Sequence, residues 1–300
     1  MRHSDIVNEL SKLDLSCYPY TQATNLIREI DKIGVLVFKM KPGMLVTRAR
    51  LSVGYETKSD LSYKPQHLNT TYQRASTPYR TMFYGTIVYD TRDFIDSRAV
   101  AIAECSNLAR EGIESKGIEK FTFGRWKVIQ DIELIAIVPL NIYTCVKYNP
   151  LLDELRKVYR RFISLDKRNS NNFQLLSEFF SQEFGKEDIV NDYDYLISAV
   201  FSEIITNDFN YDGILYPSVR MGGEYGYNVA IKPEAVDKKL VLDVIGESTY
   251  YKNKGNSISL IEKTFLWDNE HNVRTQVPTK KTPIDFVYSE LGIISLDQLQ

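Results

Sequence analysis

Three amphipathic segments in succession, "LLDELRKVYRRFI", "NFQLLSEFFSQEF" and "YDYLISAVFSEII", occupy most of residues 151–207, with short strand-like runs on both sides. Apolar residues recurring at helical spacing predict a helix for each segment. The flanks change period. Before the block come "GVLVFKM" (34–40), "MLVTRARL" (44–51), "TMFYGTIVY" (81–89) and runs near 119–127 and 131–139; after it come "GILYP" and runs near 227–232, 239–245 and 257–266. These are short, apolar or alternating, and bounded by turn residues, which predicts strands. The order therefore predicts an α+β fold, with a helical block inserted between two halves of one sheet. Two helices are expected over 4–14 and 21–33 before the first strand, and an apolar helix over 97–110. The expected organisation is an N-terminal helical extension (1–40), a main domain (41–250) carrying the insertion at about 151–207, and a C-terminal extension (251–300) whose end docks or frays.

Bulk properties exclude several classes. A 300-residue chain that is 43% hydrophobic can bury a full core. Lys and Arg number 37 against 39 Asp and Glu, for a net charge of -2, so there is no global attraction to nucleic acid or anionic membranes. No apolar run approaches the roughly 20 residues of a membrane helix. The start, "MRHSDIVNELSKLD", lacks a signal-peptide apolar core. Cys17, Cys105 and Cys145 are too few and too scattered for a disulfide framework or a zinc knuckle. The expectation is a soluble cytoplasmic protein without a metal.

Polar residues in apolar settings mark the candidate site. "SRAVAIAECSNLAR" is apolar almost all round, with Glu104 at its centre. A buried carboxylate needs a partner, so Glu104 is either half of a structural ion pair with an arginine or a pocket carboxylate. In "MLVTRAR", alternation puts Met44, Val46, Arg48 and Arg50 on one face, which leaves the core for solvent or for an anion. The long loop 54–80 carries Arg74 and Arg80, and Tyr84 lies in the strand that follows. Pro217 ends "GILYP", placing Ser218 just past a strand's carboxyl end, beside Arg220 and ahead of Gly222, Gly223 and Gly226. These glycines permit positive φ, in a plain hairpin turn or beside a ligand. No G-x-S-x-G elbow, metal-ligand cluster, Walker A string or G-x-G-x-x-G fingerprint occurs, and His3, His67 and His271 show no orienting partner.

With an arginine, a glutamate and a serine in that order, the chain resembles the RES family. "TRAR" is similar to its first arginine motif (Arg48), with Arg50 on the same strand face as the fallback. "YQRASTPYRTMFYGT" resembles the segment with a second arginine and a tyrosine (Arg74, Tyr84), although Gln73 stands where glycine is usual. "AVAIAECS" resembles the glutamate helix (Glu104), and "GILYPSVRMGGEYGYNVAI" the serine motif (Ser218, with Asn228). The resemblance covers roughly 44–110 and 212–233. It implies an ADP-ribosyltransferase-like split sheet that takes NAD as substrate and breaks its nicotinamide–ribose bond by hydrolysis or phosphorolysis, as in bacterial toxin–antitoxin pairs. It also implies an Xre-type helix-turn-helix antitoxin as partner and a homodimer. Glu104 would steady the charged ribose, Arg48 and Arg74 would hold the pyrophosphate, Tyr84 would stack on a ring, and Ser218 would hydrogen-bond the cofactor. A protein-directed ADP-ribosyltransferase and a non-catalytic nucleotide-binding or interaction module are the alternatives.

Overall fold

Helical and strand periodicities become elements along the chain in a computed structural model that describes residues 1–87, 97–141, 149–223 and 225–300. Residues 88 and 89 of one expected strand, and Cys145, lie outside the described residues. The N-terminal helices are α1 (His3–Lys12) and α2 (Tyr20–Arg28), followed by strands β1 (Leu36–Met40), β2 (Leu45–Leu51) and β3 (Phe83–Ile87). Helices α3 (Ser97–Cys105) and α4 (Asn107–Arg110) precede β4 (Lys116–Val128) and β5 (Ile132–Ala136). The insertion comprises α5 (Pro150–Leu165), α6 (Ser170–Phe184) and α7 (Leu196–Asn207). After it come β6 (Gly213–Pro217), β7 (Tyr227–Ile231), α8 (Pro233–Lys239), β8 (Leu240–Asn253), β9 (Asn256–Asp268), β10 (Val273–Val277) and α9 (Ile284–Leu291).

The fold is α+β around a ten-stranded mixed sheet in the order β1-β5-β6-β7-β3-β2-β4-β8-β9-β10. Among the described residues its one parallel pair is β5–β6. A parallel pair needs a long crossover, and the helical insertion supplies it. Asn149 caps α5 by accepting a hydrogen bond from the Leu152 amide (3.1 Å), with Pro150 in the first turn where its missing N–H costs nothing.

Alternation along the strands gives the sheet two buried faces. Ile135, Ile214 and Ala230 pack on one side under α1, α2, α6 and α7, through residues such as Leu10, Ile27, Phe180 and Phe201. Leu134, Leu215 and Val229 pack on the other against Leu152 and Tyr159 of α5 and Val236 of α8. Among the described residues, no helix is long and apolar enough to cross a membrane.

Three local expectations change. The helix expected over 97–110 breaks at Ser106, whose hydroxyl accepts from the Ala109 amide (2.8 Å) and so starts α4 as a separate turn. The strand expected over 239–245 continues to Asn253, because the polar string "GESTYYKN" pairs with β4 and β9 on both sides. The expected strand near 257–266 becomes β9, and β10 is added at the sheet edge. The C-terminal end docks: Val287, Leu291, Ile293 and Leu299 are buried with Tyr251. Strand β1 is itself an edge of the sheet, and β8 runs through position 250.

Candidate functional site: a cavity at the split between two strands

Strands β2 and β3 meet at one register pair, Thr47 with Thr86, and then diverge. Their divergence opens the sheet. Arg48 lies beside the gap: its Nη1 donates to the Tyr84 carbonyl of β3, and its guanidinium lies 5.2 Å from the Phe83 ring. A side chain thus bridges the two strands next to the point where they part.

A single row of residues floors the space beside this gap. Thr47, Thr86, Asn228 and Tyr216 are successive register partners across β2, β3, β7 and β6, so they point to the same face. All of them line one cavity of about 550 Å³. Helix α3 crosses the same edge. Its first residue, Ser97, is pinned to both strands: its hydroxyl pairs with Thr47 Oγ1 (2.6 Å) and its carbonyl accepts from Thr86 Oγ1 (3.0 Å). Glu104 lies two turns further along the helix, on the pinned side, and lines the cavity.

The Glu104 carboxylate is held by neutral donors. Its Oε1 accepts from Ser218 Oγ (2.7 Å) and from Asn228 Nδ2 (2.7 Å). Among the described residues, Oε2 has no hydrogen-bond partner and the carboxylate has no ion-pair partner. Of the two readings of Glu104, the ion pair with an arginine does not form among the described residues. Ser218 itself has no exposed surface, so its hydroxyl serves Glu104 and not the cavity. The turn behind it explains the burial. The Ser218 carbonyl accepts from the amides of Gly223 (2.9 Å) and Met221 (3.3 Å), a curl that needs the left-handed φ of Gly222 (+62°), Gly223 (+67°) and Gly226 (+66°).

The walls also carry cations. Arg48, Arg50, Arg74 and Arg220 all line the cavity. Burial, with the Arg50 charge beside it, pulls the Arg48 guanidinium below its ordinary value. Arg50 donates to the Ser62 carbonyl (3.0 Å). Arg74 donates to the carbonyls of Phe184 and Lys186, the latter at 3.0 Å. Arg220, half-buried on the turn after Ser218, makes no hydrogen bond or ion pair among the described residues. Arg48 Nε, Arg50 Nε and Asn228 Oδ1 are buried here without partners among the described residues. Such orphans are rare in folded proteins and mark places where a ligand or water completes the network.

Aromatic groups complete the walls. The Tyr84 hydroxyl is fixed by the Ala75 amide (3.1 Å) and Ser76 Oγ (2.7 Å), and burial pushes it up to about 12. Burial, with Glu104 nearby, also raises Tyr216. The Cys105 thiol, next to Glu104, is pushed up to about 12 by burial and so is a poor nucleophile at neutral pH.

The cavity therefore brings together Arg48, Arg50, Arg74, Tyr84, Glu104 and Asn228, with Ser218 behind Glu104. Arg80 stays outside, paired with Glu203 at 3.1 Å. Two histidines have carboxylate partners that sequence reasoning missed, His3 with Asp31 (3.1 Å) and His271 with Asp268 (2.8 Å), but neither lines the cavity. Tyr195, Tyr216 and Gln73 are further lining residues absent from the sequence-based set. Among the described residues no cluster of potential metal ligands occurs. No protein-family model matches the chain, and no curated protein matches it.

Proposed function

We propose that the cavity binds NAD and that the protein breaks its nicotinamide–ribose bond by hydrolysis or phosphorolysis, as the resemblance to the RES family implies. The observation that carries this reading is the state of Glu104. A cavity carboxylate is oriented by two neutral donors, has no ion-pair partner among the described residues, and shares its cavity with several guanidinium groups. A structural carboxylate would pair with one of those arginines. The cavity thus holds one oriented acid together with several guanidinium groups, which suits a ligand that carries both an electron-poor sugar and phosphates.

The chemistry follows. The ribose C1′–N bond breaks, its electron pair leaves on nicotinamide, and positive charge develops on the ribose. Glu104 Oε2 is the group available to stabilise that charge or to hold a ribose hydroxyl, while Ser218 and Asn228 fix the carboxylate through Oε1. Water or phosphate then adds to C1′ and its proton passes to solvent. Arg48, Arg50 and Arg220 supply donors for the pyrophosphate, and Arg74 contributes from the helical side. Tyr84 and Tyr216 offer rings to planar groups. A volume of about 550 Å³ falls within the usual range for small-molecule sites. In this reading the split sheet is of the ADP-ribosyltransferase type, and the protein acts on the NAD of the cytoplasm.

The test is NAD turnover followed by nicotinamide release, with and without phosphate. Release that needs no added protein acceptor supports the proposal. Label from NAD appearing on protein, without free ADP-ribose or its 1-phosphate, would assign the protein-directed transferase activity instead.

A further inference from the structure

Arg74 precedes β3 in the chain, yet its guanidinium belongs structurally to the helical insertion. Nη1 donates to the Phe184 carbonyl and Nη2 to the Lys186 carbonyl (3.0 Å). Phe184 is the last residue of α6, so Arg74 caps that helix where carbonyls lack intrahelical partners and the helix dipole is negative. Tyr195, the residue before α7, faces the same guanidinium, with Cζ 5.0 Å from its ring centroid. Arg74 is only 9% exposed, so these contacts are little weakened by water.

The connection that presents these groups is closed on itself. Lys186 Nζ binds Glu183 (2.6 Å) and the Asp194 carbonyl (3.3 Å). The Asp194 carboxylate takes the amides of Val190 and Asn191, each at 3.0 Å. A guanidinium has five N–H groups in a fixed fork. Spending one from each terminal nitrogen on the last residue of α6 and on Lys186 just beyond it fixes the direction of the rest.

We infer that the α6 carbonyl end and Tyr195 form a positioning clamp for Arg74, through which the helical insertion sets the affinity of the cavity for pyrophosphate-bearing ligands. Tyr195 is a positioning residue that acts through Arg74. The inference takes its ligand class from the proposed function, but its test does not need turnover.

The full chain is titrated by calorimetry with ADP-ribose, inorganic pyrophosphate and adenosine. Tyr195→Leu removes the ring and is expected to weaken ADP-ribose and pyrophosphate about tenfold, the loss of a partly desolvated cation–π contact, with adenosine unchanged. Tyr195→Phe keeps the ring and restores most of that affinity. In steady-state nicotinamide release, the Leu variant raises KM and leaves kcat close to wild type. If Tyr195→Leu does not fold, Arg74→Lys serves instead: one ammonium cannot reproduce the fork, so the same pyrophosphate-selective loss is expected. Equal weakening of all three ligands, no weakening, or a wild type without affinity for pyrophosphate and ADP-ribose overturns the clamp. A wild type that binds ADP-ribose but releases no nicotinamide overturns the proposed activity and leaves the clamp standing.

Discussion

Ser218→Ala isolates the part of the site that orients Glu104. The substitution deletes one oxygen from a residue with no exposed surface, so it opens almost no space, and the backbone bonds that shape the turn remain. It removes the 2.7 Å donor to Glu104 Oε1 and leaves Asn228 alone to hold the carboxylate. A hydrogen bond to a charged group is worth about 1.5–3 kcal/mol. If that energy holds the carboxylate where charge develops on the ribose, nicotinamide release falls by about 10- to 100-fold at saturating NAD. KM changes little, because Ser218 does not reach the cavity. The assay is steady-state nicotinamide release by Ser218→Ala, Asn228→Ala and the double variant, alongside thermal unfolding. Since both donors serve one oxygen, the double variant should lose less than the product of the single losses. Turnover within about twofold of wild type for a folded Ser218→Ala protein, by the same rate–energy relation, would refute the positioning argument.

Other perturbations test other links. Arg48→Gln removes a buried guanidinium that donates to the Tyr84 carbonyl and lines the cavity, so ligand-free stability should fall by about 0.5–1.5 kcal/mol while the increase in Tm caused by pyrophosphate shrinks; differential scanning fluorimetry reads both. Gly226→Ala places a methyl 2.7 Å from Val100 Cγ2 at a φ of +66°; it should cost about 1–3 kcal/mol in urea unfolding, because the clash falls on α3. Burial raises the Glu183 carboxyl above its ordinary 4.5 even though Lys186 lies 2.6 Å away. The fold therefore disfavours its charged form, and Glu183→Gln should match or exceed wild-type stability at neutral pH. That advantage should fade as pH falls through the raised value and be lost below 4.5, where wild type is protonated in both folded and unfolded states; unfolding free energy measured against pH checks this.

The residues legible in the sequence were those that broke a local pattern. Glu104 interrupts an apolar helix, Arg48 and Arg50 end an apolar strand face, and Pro217 stops a strand just before Ser218. Each anomaly depends only on near neighbours in the chain. Tyr216 and Thr86 are unremarkable strand residues; they become cavity floor only because β3, β7 and β6 pair in the register that aligns them with Asn228. Tyr195 sits in a helical block whose periodicity says nothing about the loop arginine it meets. Strand β10 had a readable signal, the alternation of Val273, Thr275 and Val277 after a polar turn, but in a segment polar enough to pass for a tail. The partner of Glu104 was left open in the sequence for a physical reason. Charge suggested an arginine, whereas the serine and asparagine reach the carboxylate first and leave the guanidinium groups elsewhere in the cavity.

The most direct measurement is a single pair of experiments on the purified chain: NAD binding, and nicotinamide release, by wild type and Glu104→Gln. The account predicts that both proteins bind NAD and that only wild type turns it over efficiently, with the variant slower by about 10²- to 10³-fold. A wild type that does not bind NAD, or a Glu104→Gln protein that releases nicotinamide as fast as wild type, would contradict it.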